Sequence, residues 1–186
     1  KDGSLSINSK SSGFVSIVHD PWRPVPSDGG HLGQNPGLFD RSKLDKRLDI
    51  AVFQTHYLKE NIHISGIPTL HIAVTSDQES FDICVALSLI SEDDGPINQF
   101  TTGFLRIKKA IKDIEKDYII NLHPTNITIT KGSKLRLSLS ASAWPAIGVN
   151  PGHNKIRCGN TSIEHKITTL NFNLKKSIMK INPFFK

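Results

Sequence analysis

Apolar side chains recur at every second position through much of this chain, the period of a strand that buries one face. In "KLRLSLSAS" (residues 134–142) Leu135, Leu137, Leu139 and Ala141 share one face, and Arg136, Ser138 and Ser140 share the other. In "TLHIAVTSD" (residues 69–77) Leu70, Ile72 and Val74 oppose His71, Ala73 and Thr75. "FDICVALSLIS" (residues 81–91) is apolar on nearly both faces, as expected of a central strand covered twice. Further strands are expected at residues 13–20, 49–56, 61–65, 103–109, 117–122, 126–130, 167–174 and 178–184. Ser-Gly, Asp-Gly-Pro and Lys-Gly-Ser turns separate most of them. About ten strands with little helix predict an all-β sandwich or barrel.

Three segments break the pattern. Residues 21–37, "PWRPVPSDGGHLGQNPG", hold four of the ten prolines and show no period, so they read as irregular loop. Ile107, Ala110, Ile111, Ile114 and Tyr118 fall at helical spacing, which predicts a short helix after the strand at 103–109. "DRSKLDKRL" (residues 40–48) offers a helical turn or two, with Asp40 or Ser42 as N-cap.

At 186 residues the chain is expected to form one domain, residues 1–186. That length suffices to bury roughly 70% of the unfolded surface without a disulfide or metal. A composition of 37% apolar and 22% charged residues is ordinary for a globular protein. No apolar run approaches the ~20 residues of a membrane-spanning helix. The net charge of +6 arises from cations spread along the sequence, and the densest stretch, "RIKKAIKDIEK", interleaves acids. Aromatics are not clustered with those cations, so neither a nucleic-acid nor a membrane partner is expected. Of two cysteines, Cys84 lies in an apolar strand and Cys158 in a loop. A bridge between them stays open, with two inert thiols in a reducing compartment the commoner outcome, so a cytoplasmic location is favoured.

Candidate chemistry is sparse. No serine sits in G-x-S-x-G, and the Ser-x-x-Lys at Ser177 and Lys180 lacks its partner motifs. Eight histidines form no H-E-x-x-H; His63 and His71 lie on neighbouring expected strands without a third ligand. "SEDDG" (residues 91–95) crowds three carboxylates but lacks the calcium-loop spacing. The chain is therefore expected to carry no catalytic residue, metal or cofactor of its own.

Across about 170 residues, an ordered series of short motifs does carry information. It runs Asp20-Pro21, Pro24, Pro26, Gly29-Gly30, Val52-Phe53, Leu58/Glu60/Ile64/Gly66, Ser76-Asp77, Asp82, Gly103/Leu105/Arg106, Ser142/Trp144/Pro145 and Asn150-Pro151. In this order the chain resembles the C-terminal jelly-roll domain of the cocaine esterase / X-prolyl dipeptidyl-peptidase (CocE/NonD) family of serine hydrolases. "PAIGV" departs from the aromatic and arginine that the family places after the loop proline. The resemblance implies a galactose-binding-like jelly roll and a non-catalytic role. It also implies that an upstream α/β-hydrolase domain of the same polypeptide carries the Ser, Asp and His and is the partner of this one. A homo-oligomer stays open.

Two expectations about residues follow. Trp22, on the proline-rich segment, and Trp144 with Pro145, where a well-formed strand stops, are candidate interface anchors: an exposed Trp offers a large apolar face and one N–H donor. For Trp144 the alternative, a cap on the sandwich core, has even weight. Asp82 and Arg106 lie in apolar strands, where an unpaired charge is costly, and are expected to pair across the sandwich or to meet the missing domain. A carbohydrate-binding jelly roll is the second function class, with Trp platforms as its requirement; two Trp and two Tyr are few for it.

Overall fold

A computed structural model describes residues 2–4, 13–30, 35–155, 164–181 and 183–184. The strands are β1 (Asp2–Ser4), β2 (Phe14–His19), β3 (Phe39–Asp40), β4 (Ala51–Gln54), β5 (Ile62–Gly66), β6 (Thr69–Ser76) and β7 (Phe81–Ile90). They continue as β8 (Ile97–Ile107), β9 (Lys116–Asn121), β10 (Thr125–Ile129), β11 (Lys134–Ser140), β12 (Thr168–Lys180) and β13 (Pro183–Phe184). One sheet has the order β1-β4-β11-β7-β8-β3; opposite it lie β2-β12-β6-β9 and a small sheet β10-β5-β13. Apart from the parallel β1–β4 pair, the strand ladders among the described residues are antiparallel. The protein is an all-β sandwich.

Alternation places the core between the layers. Leu135, Leu137 and Leu139 of β11 and Ile83, Val85 and Leu87 of β7 meet Leu70, Ile72 and Val74 of β6 and Leu170 and Phe172 of β12. Phe172, Leu170 and Leu87 have no exposed surface. The outer face of β7 is covered too. Val25, Leu44, Ile50 and Val52 form a second small cluster that fastens the segments around Val25 and Leu44 onto the back of the six-stranded sheet.

The helix expected over Ile107 to Tyr118 is absent. Strand β8 runs to Ile107, the chain reverses through Lys109 and Asp113 at positive φ, and Tyr118 sits in β9. The spacing of those apolar residues arises from a strand end, a turn and a new strand, not from one helical face: Ile111 and Ile114 are exposed. The segment 40–48 does make one 3-10 turn, Leu44–Lys46, but Lys43 occupies its cap position and no side chain caps it. Asp40 instead accepts the Ser42 and Ile97 amides at 2.9 and 3.0 Å. The strands expected at 167–174 and 178–184 are largely one strand, β12, with a bulge between Asn173 and Ile178.

Candidate functional site

Register fixes which loops share an end of the sandwich. Leu139 pairs with Ala51, Ser140 with Cys84, Phe81 with Ile107 and Thr168 with His19. The chain therefore leaves the two layers at one end after His19, Ser76, Ile107 and Ser140. Asp2 pairs with Val52 in parallel register, so β1 also enters there.

Trp22 and Trp144 belong to this end and are about half exposed, 56% and 51%. Their loops are joined backbone to backbone. Trp144 N–H donates to the Val25 carbonyl at 2.9 Å, and Ser27 N–H donates to the Trp144 carbonyl at 2.7 Å. Strand β11 ends at Ser140, before the break expected at Trp144; at Trp144, whose peptide to Pro145 is cis, the backbone pairs with residues 25–27 instead of with the sheet. Gly29, at φ +66°, is needed for the same arm: a Cβ there would lie 2.3 Å from Phe39 Cβ.

Asp82 and Arg106 are direct cross-strand neighbours on β7 and β8, so their contact runs along one sheet and not between the layers. Arg106 Nε and Nη2 donate to the two carboxylate oxygens at 2.9 and 2.7 Å, a bidentate fork. Asp82 is 1% exposed. Asn150, equally buried, donates to Asp82 at 2.7 Å and accepts the Gly152 amide at 3.0 Å, while Arg106 also donates to the Gly148 carbonyl. The ion pair thus holds the far limb of the loop that begins at Trp144.

Three buried histidines pack into this end. The Nε2 atoms of His19, His153 and His165 find no hydrogen-bond partner among the described residues, and the His165 ring lies 6.0 Å from Trp22. Burial lowers the pKa of His19 below 6.5; Asp82, Asp49 and Asp20 oppose that effect and His165 adds to it. The folded state then binds fewer protons than the unfolded chain, so stability is fully present above pH 6.5 and falls as pH drops through the lowered folded value. Urea midpoints measured from pH 7.5 to 5 should fall with pH, and His19→Gln should flatten that slope. An unchanged slope in the variant would assign the pH dependence elsewhere.

The other sequence candidates are structurally occupied. Asp94 of the acidic turn accepts from Lys134 Nζ at 2.7 Å and Tyr57 OH at 2.9 Å. His63 of β5 hydrogen-bonds Thr128, and His71 of β6 lies in a different sheet. Ser177 donates to the Asn173 carbonyl inside the β12 bulge. Cys84 is a free, buried thiol raised well above its ordinary pKa by burial; Cys158 lies outside the described residues. Among the described residues no helix is long and apolar enough to cross a membrane.

A second buried polar cluster has no sequence signal. On the back of the six-stranded sheet, Asp45 accepts Arg41 Nε at 2.9 Å and Ser138 Oγ at 2.9 Å, and lies 3.1 Å from Arg136 Nε. Arg41 Nη1 also donates to Gln99 Oε1 at 2.7 Å. These residues come from three separate segments, and only the doubly apolar pattern of β7 hinted that the outer face was covered.

The family model described as the X-Pro dipeptidyl-peptidase C-terminal non-catalytic domain matches residues 1–177. The chain belongs to this family. No curated protein sequence matches it. Its fold is similar to part of an α-amino acid ester hydrolase, with TM-score 0.85, 18% identity and coverage of 98% of this chain and 35% of that one. An aminopeptidase from a marine sediment archaeon, Thaumarchaeota archaeon, gives TM-score 0.84 and 18% identity over 96% of this chain and 34% of that one. A CocE/NonD family hydrolase from Staphylococcus aureus gives TM-score 0.60 and 14% identity over 94% and 33%. This X-Pro dipeptidyl-peptidase C-terminal domain thus spans about a third of the length of these similar structures.

Proposed function

We propose that this domain packs its loop end on an α/β-hydrolase catalytic domain of the same polypeptide and helps to wall that domain's active site. The parent activity would be that of a serine hydrolase acting on X-Pro peptides or esters. One observation carries the reading: two half-exposed tryptophans sit on backbone-joined loops at the end of the sandwich where β1 enters. An exposed Trp held on a rigid backbone is an economical anchor, because little side-chain freedom is lost on docking. Two buried carboxylates fix the loops from behind, which preorganises the surface.

Hydrogen exchange compares the isolated chain with the full-length polypeptide. Amides around residues 20–28 and 143–150 should be better protected in the latter. Trp144→Ala should weaken docking by about 2 kcal/mol, roughly thirtyfold, and lower kcat/KM for the parent's substrate while the melting temperature of the isolated domain stays within about 2 °C. Equal protection in both proteins would end the docking reading, and retention on a glycan column abolished by Trp144→Ala would favour a carbohydrate module.

A further inference from the structure

Behind the Trp144 loop, the back of the six-stranded sheet forms a partly open cavity of about 60 Å³. Its floor is made of small side chains brought side by side by the strand register: Cys84 and Ala86 of β7, Ser138 and Ser140 of β11 and Thr102 of β8. Loop residues 25–29 with Ala143, Ala146 and Ile147 roof it. At roughly 10–15 Å³ per water-sized occupant, the space suits about four to six heavy atoms.

The charge and hydrogen-bond balance around this space is lopsided. Arg41, 7% exposed, lines the cavity; it and Arg136 share a single carboxylate, Asp45, which leaves this buried cluster with a net charge of +1 (two guanidiniums, one carboxylate). Guanidinium groups do not shed that charge by deprotonating. The cavity also has donors to spare. Ser27 Oγ is buried without a partner among the described residues. Ser142 Oγ accepts the Val25 amide at 2.8 Å and keeps its own hydrogen. The one acidic side chain in the lining, Asp28, is partly exposed, so solvent screens its charge more than it screens Arg41.

We propose that this cavity is a binding site for a small monovalent carboxylate, held by Arg41 and by the hydroxyls of Ser27, Ser142 and Thr102. A carboxylate can accept from Arg41 Nη2, whose Nε and Nη1 already donate to Asp45 and Gln99, and its charge offsets the surplus left by Asp45. The site is separate from the docking surface: Trp22 and Trp144 are not in its lining.

Thermal unfolding of the 186-residue chain at fixed pH and ionic strength tests it, with formate and acetate as probes and pivalate as a carboxylate too bulky to enter. Melting temperature should rise and saturate with formate and acetate but not with pivalate. Thr102→Val and Ser27→Ala, which remove donors and keep the shape, should each weaken the apparent affinity about tenfold. Ala86→Leu, which fills the floor, should abolish the saturable rise. The proposal is overturned by a melting temperature that acetate does not move, by equal rises with acetate and pivalate, or by affinities unchanged in a folded Ala86→Leu or Thr102→Val protein.

Discussion

Asp82→Ala should lower the unfolding free energy by about 3–5 kcal/mol. The side chain is 1% exposed and accepts three hydrogen bonds, two from Arg106 and one from Asn150. Its removal leaves a guanidinium, 22% exposed, and a fully buried amide group without their common acceptor. The cost is that of the orphaned groups, not the net worth of the pair, so the variant Asp82→Ala/Arg106→Met should recover part of the loss. Urea unfolding measures both. The loop should respond as well: Gly148 and Asn150 are tied to the sheet through these two side chains, so the amide of Gly152, which donates to Asn150, should exchange faster in Asp82→Ala. A loss below about 1 kcal/mol would mean that water replaces the lost partners and that the carboxylate is not a structural keystone.

This pair shows what the sequence disclosed and what it withheld. A charge at Asp82 among Phe81, Ile83 and Cys84 announces a buried partner, and Arg106 beside Leu105 and Ile107 announces the same. Which layer joins them was not legible, because it depends on register. The β7–β8 pairing sets Asp82 opposite Arg106 and carries a shift between Leu87 and Ser88 that no residue type marks. Strands with one buried face were readable from their alternation, as with β11 and β6. The first half of β8, "INQFTT", was not, since Gln99 and Thr102 lie on the face roofed by loops and polar Asn98 and Thr101 lie on the other, so no clean alternation results. The false helix at Ile107 to Tyr118 has the same origin: a 3.6-residue period emerged by chance from apolar residues in a turn, and the positive-φ residues Lys109 and Asp113 that reverse the chain are not turn-formers as strong as glycine. The Trp-bearing loops stood out because proline and tryptophan punctuate them. Their mutual pairing through Val25, Ser27 and Trp144 is backbone chemistry, which side-chain identity does not encode.

Asp45→Ala should cost as much as the loss of Asp82, about 3–5 kcal/mol, and should act on the other arm of the loop end. Asp45 is 1% exposed by side chain and is the only carboxylate within ion-pair distance of Arg41 and Arg136 among the described residues. Without it, two guanidiniums 8% and 15% exposed repel each other on the back of the sheet, and Ser138 loses its acceptor. Asp45→Asn should fall between wild type and Asp45→Ala, since the amide oxygen keeps one acceptor, while the charge and the second acceptor are lost. Asp45 belongs to the 3-10 turn beside Leu44, which packs with Val25, Ile50 and Val52, so the substitution loosens residues 20–30 first. Exchange at Ser27 and Trp144, whose amides join the two arms, should rise in Asp45→Ala, whereas Gly152 should keep its protection. The two carboxylate variants would then separate the arms: Asp82 holds the limb after Trp144 and Asp45 the limb that carries Trp22. If Asp45→Ala also freed Gly152, the loop end would move as one cooperative unit, and docking would depend on the whole of it instead of on two independently seated anchors.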